Sequence, residues 1–355
     1  MNPLLALAMT ILGAGLLLAL PLAPALAELH RKSDALPLNV VQQHAGEIRH
    51  FADGFRNYVG ALQPILERCR ESGASASGTM RDGVQYLALG RSGETGSLPV
   101  EGPGNCQVLI AAAVDLHLPS GIAFARDIFS SGDIVGGTNN QYRAMLGERN
   151  VHLASSSTVM RWVHANGEFQ ADAGCRLYGR VSSDRSIRLA EGCTFQRLNA
   201  PRVELGGNAG AGLAAVVAPM PGEVEPLIPN RHLHDGDLEL GNGEVFRGNL
   251  IVRGELHIGQ GAKIHGSIKC EKDLFVEDNV AVSGSLISER QMVIGQNCSI
   301  HGPVIAEREI FIGSGTQCGT AKLPTSVCAP RIAAEEGILV FGTLWARELG
   351  RVVAK

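Results

Sequence analysis

Residues 248–265 read GNLIVRGELHIGQGAKIH, and the blocks that follow open GSIKC at 266, GSLIS at 284 and GPVIA at 302. Gly248, Gly266, Gly284 and Gly302 thus recur at a step of 18 residues. Other columns keep the step: Leu256, Leu274, Met292 and Ile310; Ile258, Val276, Ile294 and Ile312; Ile264, Val282, Ile300 and Cys318. Within a unit the apolar positions come in pairs two apart, at 250/252, 256/258 and 262/264. Such a pair points two side chains to one face of a short strand. Three pairs per unit make three short strands wrapped once around a triangular core. The period therefore predicts an all-β fold, a β-solenoid in which each coil buries its face by stacking on its neighbours.

The corners agree with this reading. One carries Gly261, Asn279, Asn297 and Gly315, residues that accept a left-handed backbone at least cost. A second is the glycine column. The third stacks Lys272, Arg290 and Arg308, flanked by Glu271, Glu289 and Glu307 and by Asp273 and Glu309. Acids beside bases keep that ridge soluble without a strong field of one sign.

Outward from this stretch, the 355-residue chain has room for more than one domain. Aromatics make up only 5% and glycine is plentiful, as narrow coils with many corners require. A net charge of −4 with both signs dispersed gives no reason to expect a nucleic-acid partner. No C-x-x-C or H-x-x-x-H cluster supports a metal site, and no cofactor is expected.

Residues 1–27 contain no charged side chain, and Leu4–Leu22 is almost wholly apolar. About 20 apolar residues suffice to cross a bilayer as a helix. Arg31 and Lys32 follow the run, which by the positive-inside rule keeps that side cytoplasmic. An uncleaved anchor through residues 3–24 in the inner membrane, with the rest cytoplasmic, is the favoured reading. The other is a cleaved export signal at Ala25-Leu26-Ala27, leaving a periplasmic protein, although the basic n-region of such a signal is absent.

Residues 33–75 hold an amphipathic helix, with Ile48, Phe51, Phe55, Val59, Leu62 and Ile65 at spacings of three and four. Packing on the rest of the chain is preferred to a membrane-surface role. ESGASASG reads as a flexible linker. Residues 84–205 look like a degenerate solenoid, with Phe169/Ile187, Ala171/Leu189 and Cys175/Cys193 in step. Cys175 and Cys193 are in reach of a disulfide, but stacked core thiols are preferred. DIFSSGDIVGGTNNQYRAMLGERNVHL breaks the period and reads as an insertion with a short helix. Residues 206–230 form a Gly/Ala/Pro-rich linker to the main solenoid at 231–346, where an insertion of about four residues surrounds LPTSVCAP; 347–355 is a basic tail.

The hexapeptide-like spacing also occurs in acyltransferases that use a histidine base. His265 and His301 lie at one corner two coils apart, and His257 faces out from a strand. No carboxylate is placed to orient either corner histidine, and no long loop walls off a pocket over coils 238–312, so no catalytic residue is assigned. Self-association is the stronger expectation. Ile251, Ile287 and Ile305 form one outward apolar stripe, and Phe275, Val293 and Phe311 another. A solenoid also ends in coils with unpaired backbone groups. The candidates there are Leu238 and Leu240 at the start and Leu344 and Trp345 at the end, with Leu344 pointing inward at an open coil.

On these residues, Leu238–Ala346 resembles a bactofilin, a polymer-forming bacterial cytoskeletal protein. The resemblance covers roughly the last third of the chain. It implies a right-handed β-helix that polymerises end to end without nucleotide, often near the membrane, as a scaffold for other envelope-associated proteins. The long N-terminal half and the apolar leader depart from that pattern. An exported β-helix protein that binds cell-surface polysaccharide is a further alternative.

Overall fold

The left-handed corner sets the coil. Gly243, Gly261, Asn279, Asn297, Gly315 and Gly337 all adopt positive φ, between 54° and 87°. The first half has its own column at Asn139, Ser156, Gly174 and Gly192, between 56° and 72°. These residues belong to a computed structural model that describes residues 9, 49–90, 98–102, 104–206 and 230–354. Ile48–Lys355 forms one compact unit. The leader lies outside the described residues, Met9 apart. No helix among the described residues is long and apolar enough to cross a membrane.

The three strands per coil are present throughout the second solenoid. Ile258 lies in register between Leu240 and Val276, and Val276 between Ile258 and Ile294, all with their side chains in the core. At the glycine column a Cβ on Gly266 or Gly284 would collide with the carbonyl of the glycine one coil earlier. Close backbone approach, rather than an unusual turn, is what Gly284 supplies there. At the other corners carboxylate and amide oxygens accept from the backbone of the next coil. Asp278 Oδ1 accepts from Gln296 N at 2.6 Å, and Asn242 Oδ1 from Gln260 N at 2.9 Å. These ladders satisfy corner N–H groups that the strand pairing leaves over.

The described residues between 84 and 205 form a solenoid of their own, the first in chain order. The segment read as an insertion with a helix consists instead of regular coil strands, Ile128–Ser130, Ile134–Gly136, Gln141–Gly147 and Val151–Leu153. The period looks broken because a bulge lies between Tyr142 and Ala144. Tyr142 pairs with Phe124, but Met145 pairs with Ile128, so one residue is lost at that corner. From there the expected pairs Phe169↔Ile187 and Ala171↔Leu189 hold. The stretch read as a flexible linker contributes strand Ala76–Thr79, antiparallel to Gln85–Leu89. It closes one side of the solenoid's first coil.

The amphipathic segment is a helix at His50–Val59 and another at Gln63–Ser72, joined by a single 3-10 turn at Gly60–Leu62. Pro64 in the first turn of the second helix accounts for the break, since it cannot donate to the preceding turn. Phe55, Val59 and Leu62 are buried as expected, but Phe51 stays exposed and Leu66 and Cys69 complete the face. That face covers outward residues of the first solenoid, among them Leu109, Phe129, Leu146 and Trp162. The Phe55 and Trp162 rings meet edge to face at 5.6 Å.

A polar network pins the helices. Arg56 Nε donates to Glu148 at 2.7 Å and Arg56 Nη2 to Asn166 Oδ1 at 3.1 Å, while Arg49 pairs with Asp184. His164, buried beneath, lies within hydrogen-bond distance of Asn166 Oδ1 through Nε2, at 3.1 Å, and of the Ser182 hydroxyl through Nδ1, at 2.8 Å. Burial, ahead of the opposing pull of Asp184, lowers the His164 pKa, and Arg49 and Arg56 lower it further. The neutral ring's contribution is complete above the ordinary histidine pKa of 6.5 and is lost as pH falls through the depressed folded value. As pH falls below the ordinary histidine value the helices should therefore loosen before the solenoids do. Trp162 fluorescence should report a transition that His164→Gln removes. A pH-independent signal down to global acid unfolding would sink this reading.

The two solenoids meet end to end. Strand Thr194–Leu205, the last coil of the first, pairs antiparallel with strand Ile338–Val353, the last coil of the second. The pairing runs along all three sides: Phe195↔Gly350, Leu198↔Leu344 and Val203↔Val340. Asn199 donates to the Thr343 hydroxyl at 2.8 Å, and the Arg197 guanidinium lies 5.1 Å from the centre of the Trp345 ring. Residues read as a C-terminal tail are the third side of this coil, since Leu349–Val353 pairs with Arg331–Glu335. The insertion is the turn at 319–323; TSVCAP itself lies in strand Thr325–Glu335. Residues 207–229, most of the expected linker, lie outside the described residues.

Candidate self-association surfaces

The site residues expected from the sequence separate into three groups. Leu344 points inward, as expected, and lies in register between Val327 and Leu198. It is fully buried, so the last coil is not an open end but one half of an internal junction. Trp345 faces out, half covered by Arg197. This corrects the expectation of a free C-terminal end. What the sequence did not reveal is that the first solenoid runs toward the same junction and ends there.

Ile251, Ile287 and Ile305 stack outward on one side, and Phe275, Val293 and Phe311 on another, all half-buried. Lys269 interrupts the first stripe, its ammonium 2.7 Å from Glu289. The helices do not reach these stripes; they cover the first solenoid alone.

Leu238 and Leu240 lie in the first coil of the second solenoid. Leu240 is buried and Leu238 packs against the core from a half-buried position. This coil is the open one. Strands Arg231–His234, Leu238–Leu240 and Val245–Arg247 each pair on one side only among the described residues, with Asn249–Val252, Leu256–Ile258 and Lys263–His265. Leu233 and Val245 are 56% and 51% exposed on it. Both went unnoticed in the sequence, although each falls one step before a column position, at 251 and 263.

Of the three histidines singled out in the sequence, His257 has a carboxylate within hydrogen-bond distance and the two corner histidines have none among the described residues. His257 Nε2 meets Glu255 at 3.0 Å, and its ring stacks on Phe275 at 4.5 Å, both at the surface. Burial, aided by Arg247 and Lys263, lowers the His265 pKa, and no carboxylate opposes them. His301 is half-buried. No group of three or more metal-binding side chains occurs among the described residues. All eight cysteines are free thiols. Cys175 and Cys193 are buried on adjacent coils, and the hydrogen bond between them, with burial, pushes the Cys193 thiol up so that it stays protonated.

No protein-family model, curated protein or solved structure matches the chain. The bactofilin resemblance therefore stands on the repeat alone.

Proposed function

We propose that the chain is a non-enzymatic scaffold of the bactofilin type, with right-handed coils. Residues 3–24 hold it at the inner membrane, and the solenoids lie on the cytoplasmic side. It self-associates through the open coil at 231–247. One observation carries this reading: three strands that pair on one side only among the described residues, with Leu233 and Val245 exposed beside them. Such an edge is a template for another strand edge. The internal junction supplies the manner of pairing, two coils meeting antiparallel on all three sides. The same geometry between two copies gives an isologous, closed dimer. Two sides of the first coil of the first solenoid are already bordered by antiparallel strands at Ala76–Thr79 and Val100–Glu101, so among the described residues the coil at 231–247 is the one open on all three sides. A dimer is therefore expected in place of a long filament.

Light scattering of the full chain in detergent should give twice the 37.5 kDa protomer mass. Leu233→Arg with Val245→Arg puts like charges beside the contact from both copies, and should weaken it about tenfold at low salt without changing the melting temperature. A wild-type monomer at high concentration would overturn the reading. Electron micrographs showing long filaments would overturn the closed dimer.

A further inference from the structure

The outward column that ends at Trp345, next to the charged corner of the second solenoid, meets basic residues across the junction. In the second solenoid Arg331 meets Glu309 at 3.2 Å and Arg347 meets Glu307 at 3.4 Å, while Arg290 and Arg308 have no ion pair among the described residues. Beyond the junction the same edge carries Arg197, Arg180 and Arg161, with Arg176 and Arg351 beside it, and none of the five has an ion pair among the described residues. Arg180 is in register with Arg197, and Gly179 lies against the Arg161 backbone, so the three guanidinium-bearing residues occupy successive coils. Coils are about 4.8 Å apart, a distance at which like charges repel unless an anion lies between them. The Arg197 Nε is itself buried without a hydrogen-bond partner.

Apolar side chains are interleaved with these bases. Met160, Tyr178, Trp345 and Leu349 are each between 41% and 53% exposed, and they lie at the corner turns or next to them. Arg180 and Arg197 sit over the rings of Phe51 and Trp345 at 5.0 and 5.1 Å. A row of unanswered arginines with Trp, Tyr, Met and Leu between them matches the headgroup zone of a bilayer. Guanidinium groups bind phosphates there in two-pronged fashion, and amphipathic rings settle at that depth. The chain that comes from the apolar leader enters the described structure at Arg49, two residues before Phe51.

We infer that this ridge is a docking surface for an anionic phospholipid membrane, laying the solenoid along the bilayer. The inference rests on the reading of the protein as membrane-held. Charge complementarity and the apolar tips favour lipid over a soluble polyanion, which would need no Met or Leu.

The test uses the full chain in vesicles whose acyl chains carry bromine, a short-range quencher of tryptophan. Trp162 is buried beneath the helices, so the quenchable signal is that of Trp345. Quenching is expected in vesicles of about one quarter phosphatidylglycerol and not in pure phosphatidylcholine. Each arginine removed should lower the docked fraction about fivefold, so Arg161→Ser with Arg180→Ser should lower it about 25-fold. Raised salt should reverse docking. Equal quenching in neutral vesicles, or quenching that survives Trp345→Phe, would overturn the proposal. So would binding of soluble polyphosphate through the same arginines with no quenching by vesicles. Carbonate extraction from cells tests the anchor separately: a protein that washes off yet docks on added vesicles would sink the anchor and keep the ridge.

Discussion

Leu344→Arg is expected to break the molecule at its middle. Leu344 is fully buried between Val327 of its own solenoid and Leu198 of the other, so a guanidinium there has no route to water. Burying an unpaired charge costs on the order of several kcal/mol, comparable to the net stability of many domains. The loss should appear first as faster hydrogen exchange in Thr194–Leu205 and Ile338–Val353, with a lowered melting temperature. A milder pair reads the contact itself. Leu344→Ala and Leu198→Ala should each cost about 2–5 kcal/mol. Because they share one contact, the double variant should fall short of the sum by about 1 kcal/mol. Full additivity, or a Leu344→Arg protein with unchanged stability, would mean that the two coils do not meet in solution.

This outcome differs from what the sequence leads one to expect, and the reason is physical. The step of 18 residues fixed which residues face inward: Leu344 falls in the column of Val304 and Val327 and does point into the core. Period says nothing about what lies beyond the last coil. That information is carried by contacts between residues 144 positions apart, such as Asn199 to Thr343, and no local pattern encodes them. The corner columns were legible because positive φ selects for Gly and Asn, and Asn279 and Asn297 duly adopt it. The bulge at Tyr142 was not legible, since the loss of one residue at a corner is indistinguishable in sequence from an insertion. The helical face was partly legible. Phe55, Val59 and Leu62 follow one spacing, but the 3-10 turn at Gly60–Leu62 rotates the next helix so that Leu66 and Cys69 are buried and Ile65 packs at the margin, half-buried. Of the candidate contact residues, the stripes do face outward and Leu238 and Leu240 do lie in an open coil, whereas Leu344 and Trp345 lie at an internal junction.

Ile294→Asp should unfold the second solenoid while leaving the first largely intact. Ile294 is fully buried, with Val276 and Ile312 in the coils on either side. A carboxylate there either remains charged against two apolar neighbours or takes up a proton at a cost, again on the order of several kcal/mol. Solenoid stability is close to a sum of coil and neighbour terms, so the damage spreads from coil to coil within its own stack. At the junction it meets a different situation. The first solenoid keeps its own core, with Phe169, Leu177 and Ile187 fully buried, and the helices cover its side. It loses only the strand that borders Thr194–Leu205. Exchange protection should therefore vanish across 231–353 and persist through 109–189, with Trp162 still packed on Phe55. Two separated thermal transitions would accompany this pattern. A folded variant with the wild-type melting temperature would show that Ile294 does not face the core. Simultaneous loss of protection in both halves would show instead that the junction couples the whole molecule into one cooperative unit.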